Sequence, residues 1–331
     1  MRLLPINQEH KARMRERLRI SRDAVLAVLV VLAAFVTLTA DAAAQAWTPP
    51  AGVGSISVGY QRIFNTGHRL NNGFLRKNGF STNMGVSVEG EYAITDRFAV
   101  SAGLPYVFSK YTDPNPPPRG IPYLPVDQCH CWKGGWQDFG ATARFNVFKS
   151  ENGAFSLTPS VAIGVPSHDY NFRGEAALGR DLREFRVAID AGQRLDPVSS
   201  KLVVQGRYSY AVVEKVQNIS TNRSNVSFEA DYQLTRKLVA RGLLSLERTH
   251  GGLRTGEPVR RVWINNPDLL FQHDRLLRDD NWRTGAGLTY SFRKMDVFAS
   301  HIEYAGGTNT HAGRALTFGF SWPFELARHS H

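Results

Sequence analysis

The chain is predicted to be all-β: a closed antiparallel transmembrane barrel of about 12 strands, preceded by a cleavable signal peptide. Three observations carry this: a basic-then-apolar leader ending in alanines, a dozen segments of alternating polarity, and connections that alternate short and long.

The leader comes first. Lys11, Arg13, Arg15, Arg17, Arg19 and Arg22 precede an apolar run from Ala24 to Ala40, followed by DAAAQA. A basic region, an apolar core and an Ala-x-Ala site (Ala44-Gln45-Ala46) describe a signal peptide, with cleavage expected after Ala46. The division is then 1–46 signal peptide and 47–331 barrel. A membrane anchor is the competing reading, but a spanning helix needs ~20 apolar residues and this run falls short.

Net charge is +11 for the chain. Residues 1–46 hold seven Lys/Arg and four Asp/Glu, so +11 less +3 leaves +8 for the remainder. In an exported protein such a surplus points to outer-membrane lipid and lipopolysaccharide, and not to nucleic acid. Two cysteines exclude a disulfide-stapled scaffold.

Alternating segments then recur. In the first, Ile56, Val58, Tyr60 and Phe64 oppose Ser55, Ser57 and Gln61; in the second, Met84, Val86, Val88 and Tyr92 oppose Asn83, Ser87, Glu89 and Glu91. The third runs from Phe98 to Phe108, the fourth from Phe139 to Val147, and the fifth from Phe155 to Val165. Phe185–Ala191, Leu202–Val212, Val226–Leu234, Leu238–Leu246 and Trp282–Phe292 follow. The last two stripes are Phe298–Ile302–Tyr304 and Leu316–Phe318–Phe320–Trp322. Twelve is an even number, as expected of a single-chain bacterial barrel.

Short connections are expected at 95–97, 150–153, 196–200, 235–237 and 293–296. Long ones are expected near 66–79, 110–135, 167–182, 214–223, 249–280 and 305–313. Short periplasmic turns alternating with long extracellular loops fit a membrane barrel, and both termini then lie on the periplasmic side. Aromatic residues near strand ends (Tyr60, Phe64, Tyr92, Phe98, Phe108, Tyr232, Phe292, Trp322, Phe324) read as interfacial girdles.

The apolar stripes should face lipid, because isolated charges there are costly. The lumen should then be lined by Glu89, Glu91, Arg144, Arg186, Asp190, Arg207, Glu229, Asp231, Arg241, Glu247, Arg283 and His301. Two readings stand: a narrow barrel rigidified by ion pairs, or a polar pore that orients a solute. With both signs present, strict cation or anion selectivity is not expected.

The segment YAITDRFAVSAGLPYVF (Tyr92–Phe108) resembles the second hairpin of outer-membrane barrels named for the meta-pathway of phenol degradation. GGWQDFGATARFNVF (Gly134–Phe148) is similar to a strand of that family through Asp138, Gly140, Arg144 and Phe145, though Gln137 replaces a usual glycine. LTPSVAIGVPS (Leu157–Ser167) resembles the next strand. The resemblance implies passive uptake of small, often apolar or aromatic, solutes, with no catalytic residues and no cofactor.

Other features keep open readings. Cys129-His130-Cys131 suits a strained loop disulfide or, with a further ligand, a metal site, and the cross-link is favoured. Pro114, Pro116, Pro117, Pro118, Pro122 and Pro125 stiffen the same loop into a candidate lid. Within 249–280, Asn266-Pro267-Asp268 and the leucines 269, 270, 276 and 277 suggest a short amphipathic helix at the mouth or on the outer leaflet, against a solvated loop. A lipid-directed enzyme and a plugged structural or adhesive barrel are the alternatives to a channel, but no serine motif accompanies the scattered histidines. The barrel-assembly machinery is an expected partner during biogenesis.

Overall fold

The computed structural model describes residues 46–77, 79–112, 130–174, 176–196, 198–254, 269, 272 and 275–326. Among them fifteen strands form one antiparallel sheet. These are β1 (Val53–Arg69), β2 (Leu75–Arg76), β3 (Phe80–Ala93), β4 (Phe98–Thr112), β5 (Lys133–Trp136), β6 (Asp138–Phe145), β7 (Phe148–Lys149) and β8 (Phe155–Pro166). The rest are β9 (Glu184–Arg194), β10 (Leu202–Val213), β11 (Thr221–Thr235), β12 (Leu238–Gly251), β13 (Asp280–Phe292), β14 (Met295–Thr308) and β15 (Thr310–Glu325).

Twelve staves make the wall. β5, β6 and β7 lie along one interrupted stave, β5 pairing with β4 and β7 with β8, while β2 only pads the end of β1. β15 returns to pair with β1 from Val53↔Glu325 to Arg69↔Thr310, so the sheet closes. Closure leaves no row of unpaired backbone groups, the condition a strand protein must meet in hydrocarbon.

Alternation decides the two faces. Val88, Ile163, Val187, Phe228, Leu246, Leu288 and Trp322 all stand exposed on the outer wall. An apolar belt of this extent would be costly in water and is at home in acyl chains. The fold and the belt make the protein an outer-membrane barrel.

The turns at one end are short for local reasons. The Thr95 hydroxyl accepts from the backbone N–H groups of Arg97 and Phe98 at 3.2 and 2.9 Å. Thr235 repeats the device with Lys237 and Leu238 at 3.2 and 3.1 Å. Asn152 accepts from the Ala154 N–H at 3.0 Å. Such side-chain-to-backbone bonds replace a longer loop.

Three expectations are corrected. The long connection expected at 305–313 is absent, because β14 runs to Thr308 and β15 starts at Thr310. Asn309 alone turns the chain, with φ 50°, after Gly307 at φ 143°. A Cβ at Gly307 would sit 2.1 Å from the Asp280 carbonyl oxygen, so the turn requires glycine.

β14 also has the opposite phase from that expected. Phe298, Ile302 and Tyr304 face the lumen, paired with Thr289, Gly285 and Arg283. The cause lies in neighbouring glycines: the Phe298 ring fills the space beside Gly319, and Ile302 the space beside Gly285. Alternation shows that two faces differ; it leaves which face turns inward to the neighbours.

The His301 side chain therefore leaves the lumenal set, although the residue borders an interior chamber along the wall. It stands opposite the outward residues Ala286 and Leu316, with its side chain 46% exposed and bonded to Glu303 at 3.3 Å on the outer wall.

Candidate functional site

The remaining eleven candidates share the inner face, and most are paired across strands. Asp190, fully buried, is held by Arg207 at 3.3 Å. Arg241 bridges Asp231 at 2.8 Å and Glu229 at 3.2 Å. Arg144 donates to Glu91, Arg186 binds Glu184 at 2.6 Å, and Arg283 lies 3.6 Å from Glu247. The structure thus converts a list of charges into a belt of ion pairs around the wall.

Several lumenal residues escaped the sequence pattern. Arg223 donates to Glu184 and lies 3.9 Å from Glu247, linking β9, β11 and β12. It is in phase with Asn225, Glu229 and Asp231, so extending that segment by three residues would have found it. Glu184, just ahead of Phe185, was missed in the same way.

Two chambers lie in the interior among the described residues. One, of about 500 Å³, is bounded by Glu89, Asp138, Arg144, Glu184, Arg207 and Arg223. The other, of about 400 Å³, lies against β12–β15 and β1 and is amphipathic: Leu243, Phe298 and Ile302 line it together with Glu91, Glu229 and Arg241. Glu89 borders both.

The first chamber has a roof. Residues 167–174 and 176–183, between β8 and β9, cross it and are pinned at both sides. Tyr170 donates its hydroxyl hydrogen to Asp138, and the Asp181 N–H donates back to the Tyr170 oxygen at 2.8 Å. Gln137 donates to the Leu178 carbonyl. Farther round, Arg180 donates to Thr221 at 3.0 Å and to the Arg275 carbonyl at 2.8 Å.

Arg275 in turn donates to the Asp181 carbonyl at 3.0 Å, and its guanidinium lies 3.7 Å from the centroid of Phe172. Leu178, Leu182 and Leu276 are buried in this roof. Burial pushes the Tyr170 phenol up, reinforced by its bond to Asp138. Burial also holds the Arg180 guanidinium down, to about 10. The Asp181 carboxyl is pushed up by desolvation against the opposing pull of Arg275.

Arg275 and Leu276 have helical backbone, as expected for the end of the amphipathic stretch, and the Arg275 carbonyl accepts from Arg180 in the segment before β9. The proline-rich lid expected at 110–135 falls mostly outside the described residues, as does Cys129. Cys131 is disulfide-bonded.

The opposite mouth holds the segment before β1. Ala46 is fully buried. Its carbonyl accepts from Ser156 and Thr158, each at 2.6 Å, and its N–H donates to Gln205 at 3.2 Å. The Trp47 indole donates to the Gly153 carbonyl at 3.2 Å. Gly192 makes room: a Cβ there would lie 2.5 Å from the Trp47 ring and 2.6 Å from the Ala46 Cβ. Thr48 and Ala51 then bond to Asp96 in the β3–β4 turn, at 2.7 and 2.8 Å, as the chain leaves the mouth.

No family model and no curated protein matches this sequence. Solved structures do. An outer membrane channel from Pseudomonas putida F1 aligns with a TM-score of 0.64 at 14% identity, over 87% of this chain and all of that one. The translocator domain of the autotransporter NalP from Neisseria meningitidis gives 0.47 at 11% identity, over 83% and 90%. The KdgM porin in complex with disordered oligogalacturonate gives 0.42 at 10%, over 82% and 99%. At these identities the shared property is the fold, and the chain has the fold of an outer-membrane β-barrel.

Proposed function

We propose that this barrel mediates passive passage of small solutes across the outer membrane, with a preference for molecules that carry an apolar or aromatic body. The observation that carries the reading is the amphipathic chamber, where Phe298, Ile302 and Leu243 line the same volume of about 400 Å³ as Glu229 and Arg241. A wholly structural barrel would be expected to fill that space. Pockets for small molecules combine apolar walls with a few fixed polar groups, and this chamber does so.

The resemblance to the phenol meta-pathway barrels favours the same class of solute. The balanced ion pairs leave little net field to select one sign of ion. The wall and basic loops would contact outer-membrane lipid and lipopolysaccharide, and export would use the N-terminal leader. The experiment is uptake of a small neutral aromatic solute into liposomes containing the refolded barrel, against empty liposomes and against a sugar of similar mass. Faster entry of the aromatic supports the reading; equal rates in all three contradict it.

A second reading has one observation behind it. Ser224 and His250 lie 2.6 Å apart on the outer wall, as in a nucleophile and base acting on lipid. Among the described residues His250 has no carboxylate partner to orient it, so the channel reading stands first. Lipid hydrolysis by the purified barrel, abolished by Ser224→Ala, would reverse that order.

A further inference from the structure

We propose that the leader is cut between Ala44 and Gln45, so that Ala46 stays in the mature chain as an anchor inside the lumen. Two overlapping sites are present, Ala42-Ala43-Ala44 and Ala44-Gln45-Ala46, and both place small residues where a signal peptidase requires them. Sequence alone favours the later one. The fold distinguishes them, because the two cuts leave different atoms at the mouth.

Ala46 is built into the wall more fully than any chain end would need. Its residue surface is entirely covered. Its carbonyl oxygen takes hydrogen bonds from the hydroxyls of Ser156 and Thr158 and a longer one, 3.4 Å, from the Asn146 amide. Those three side chains are themselves 0–2% exposed. Cleavage after Ala46 would remove the acceptor they converge on and put the charged amine of Trp47 beside them.

Asn146 would keep its bonds to Ser156 and Thr158, but the buried hydroxyl hydrogens of Ser156 and Thr158 would lose their acceptor, which is costly, as is an unpaired buried ammonium. Gln205 would lose its donor as well. Gly192 is a separate observation: its missing side chain accommodates Ala46 as well as Trp47. A cradle fitted to Ala46 has no use if the residue departs with the leader.

The cut at Ala44–Gln45 is an ordinary hydrolysis. Water adds to the Ala44 carbonyl carbon, the C–N bond breaks, Ala44 leaves as a carboxylate, and the Gln45 nitrogen takes the proton as the new amine. An N-terminal glutamine can then cyclise with loss of ammonia, which gives the product a second recognisable mass.

The test is the N-terminal sequence and intact mass of the barrel extracted from outer membranes. The expected start is Gln45, as a free amine or as the cyclised form lighter by one ammonia. A start at Trp47 overturns the proposal, and a start elsewhere overturns the assigned bond. Ala46→Leu gives a second readout that does not depend on folding, because leader removal precedes barrel assembly. Under the proposal residue 46 lies beyond the scissile bond and the variant is still processed to mature length. Accumulated precursor would show that Ala46 occupies the cleavage position and would overturn it.

Discussion

Replacing Arg275 with alanine should unlock the roof of the first chamber. Three contacts to the segment before β9 disappear together, beside a local bond to Gln272 at 2.8 Å. The guanidinium over Phe172 at 3.7 Å is a desolvated cation–π contact worth about 1–2 kcal/mol. The bond to the Asp181 carbonyl is charge-assisted and contributes about 1.5–3 kcal/mol. The ion pair to the Asp181 carboxylate, at 3.6 Å and partly screened, adds about 0.5 kcal/mol.

Neighbouring side chains and water recover part of this, leaving a loss of about 3 kcal/mol. At 1.4 kcal/mol per tenfold, the open fraction of the roof should rise roughly 100-fold. Single-channel recording in planar bilayers reads this directly as open probability. Arg275→Lys, which keeps the charge but not the planar fork, should fall between the two. Unchanged open probability in Arg275→Ala, in protein that still shows the heat-dependent gel shift of a folded barrel, would refute the roof as the gate.

Four more outcomes follow from the same geometry. Asp190→Ala, which strands Arg207 inside the wall, should cost about 3–5 kcal/mol in reversible urea unfolding from lipid vesicles, whereas Asp190→Leu with Arg207→Met should recover most of it. Phe298→Ala should slow uptake of aromatic solutes more than uptake of sugars; an equal effect on both would remove the ring from solute contact. His301→Leu should leave conductance and its pH dependence unchanged, since the imidazole faces outward; an altered pH profile would return it to the lumen. Gly192→Ala should expel the Ala46–Trp47 segment, detected as new protease cleavage before Thr48 from the periplasmic side.

The staves were legible in the sequence because a barrel wall is a local pattern. Each strand must present apolar groups to lipid and tolerate polar ones inside, so Val86, Val88, Phe228 and Leu288 announce their face without reference to distant residues. The pattern misled where side-chain space was set by another strand. Phe298 and Ile302 turn inward because Gly319 and Gly285 leave room, and those glycines lie 21 and 17 residues away in sequence. His301 then followed its strand to the outer wall.

The roof was illegible for a related reason. Tyr170, Arg180 and Arg275 meet only because segments about a hundred residues apart fold over the same mouth, and none shows a periodic signal. Arg223 and Glu184 were hidden differently, at strand ends drawn too short. The packing of Ala46 left no local signal either, because its partners Ser156, Thr158 and Gln205 lie far along the chain.

The central claim is that the wall encloses a passage and not a filled core. The most direct measurement is single-channel current across planar bilayers, from wild-type protein and from Arg275→Ala, after refolding under identical conditions. Discrete current steps are expected in both, rare in the wild type and frequent in the variant. Silent bilayers for both proteins, with folded barrel shown to be inserted, would contradict the account.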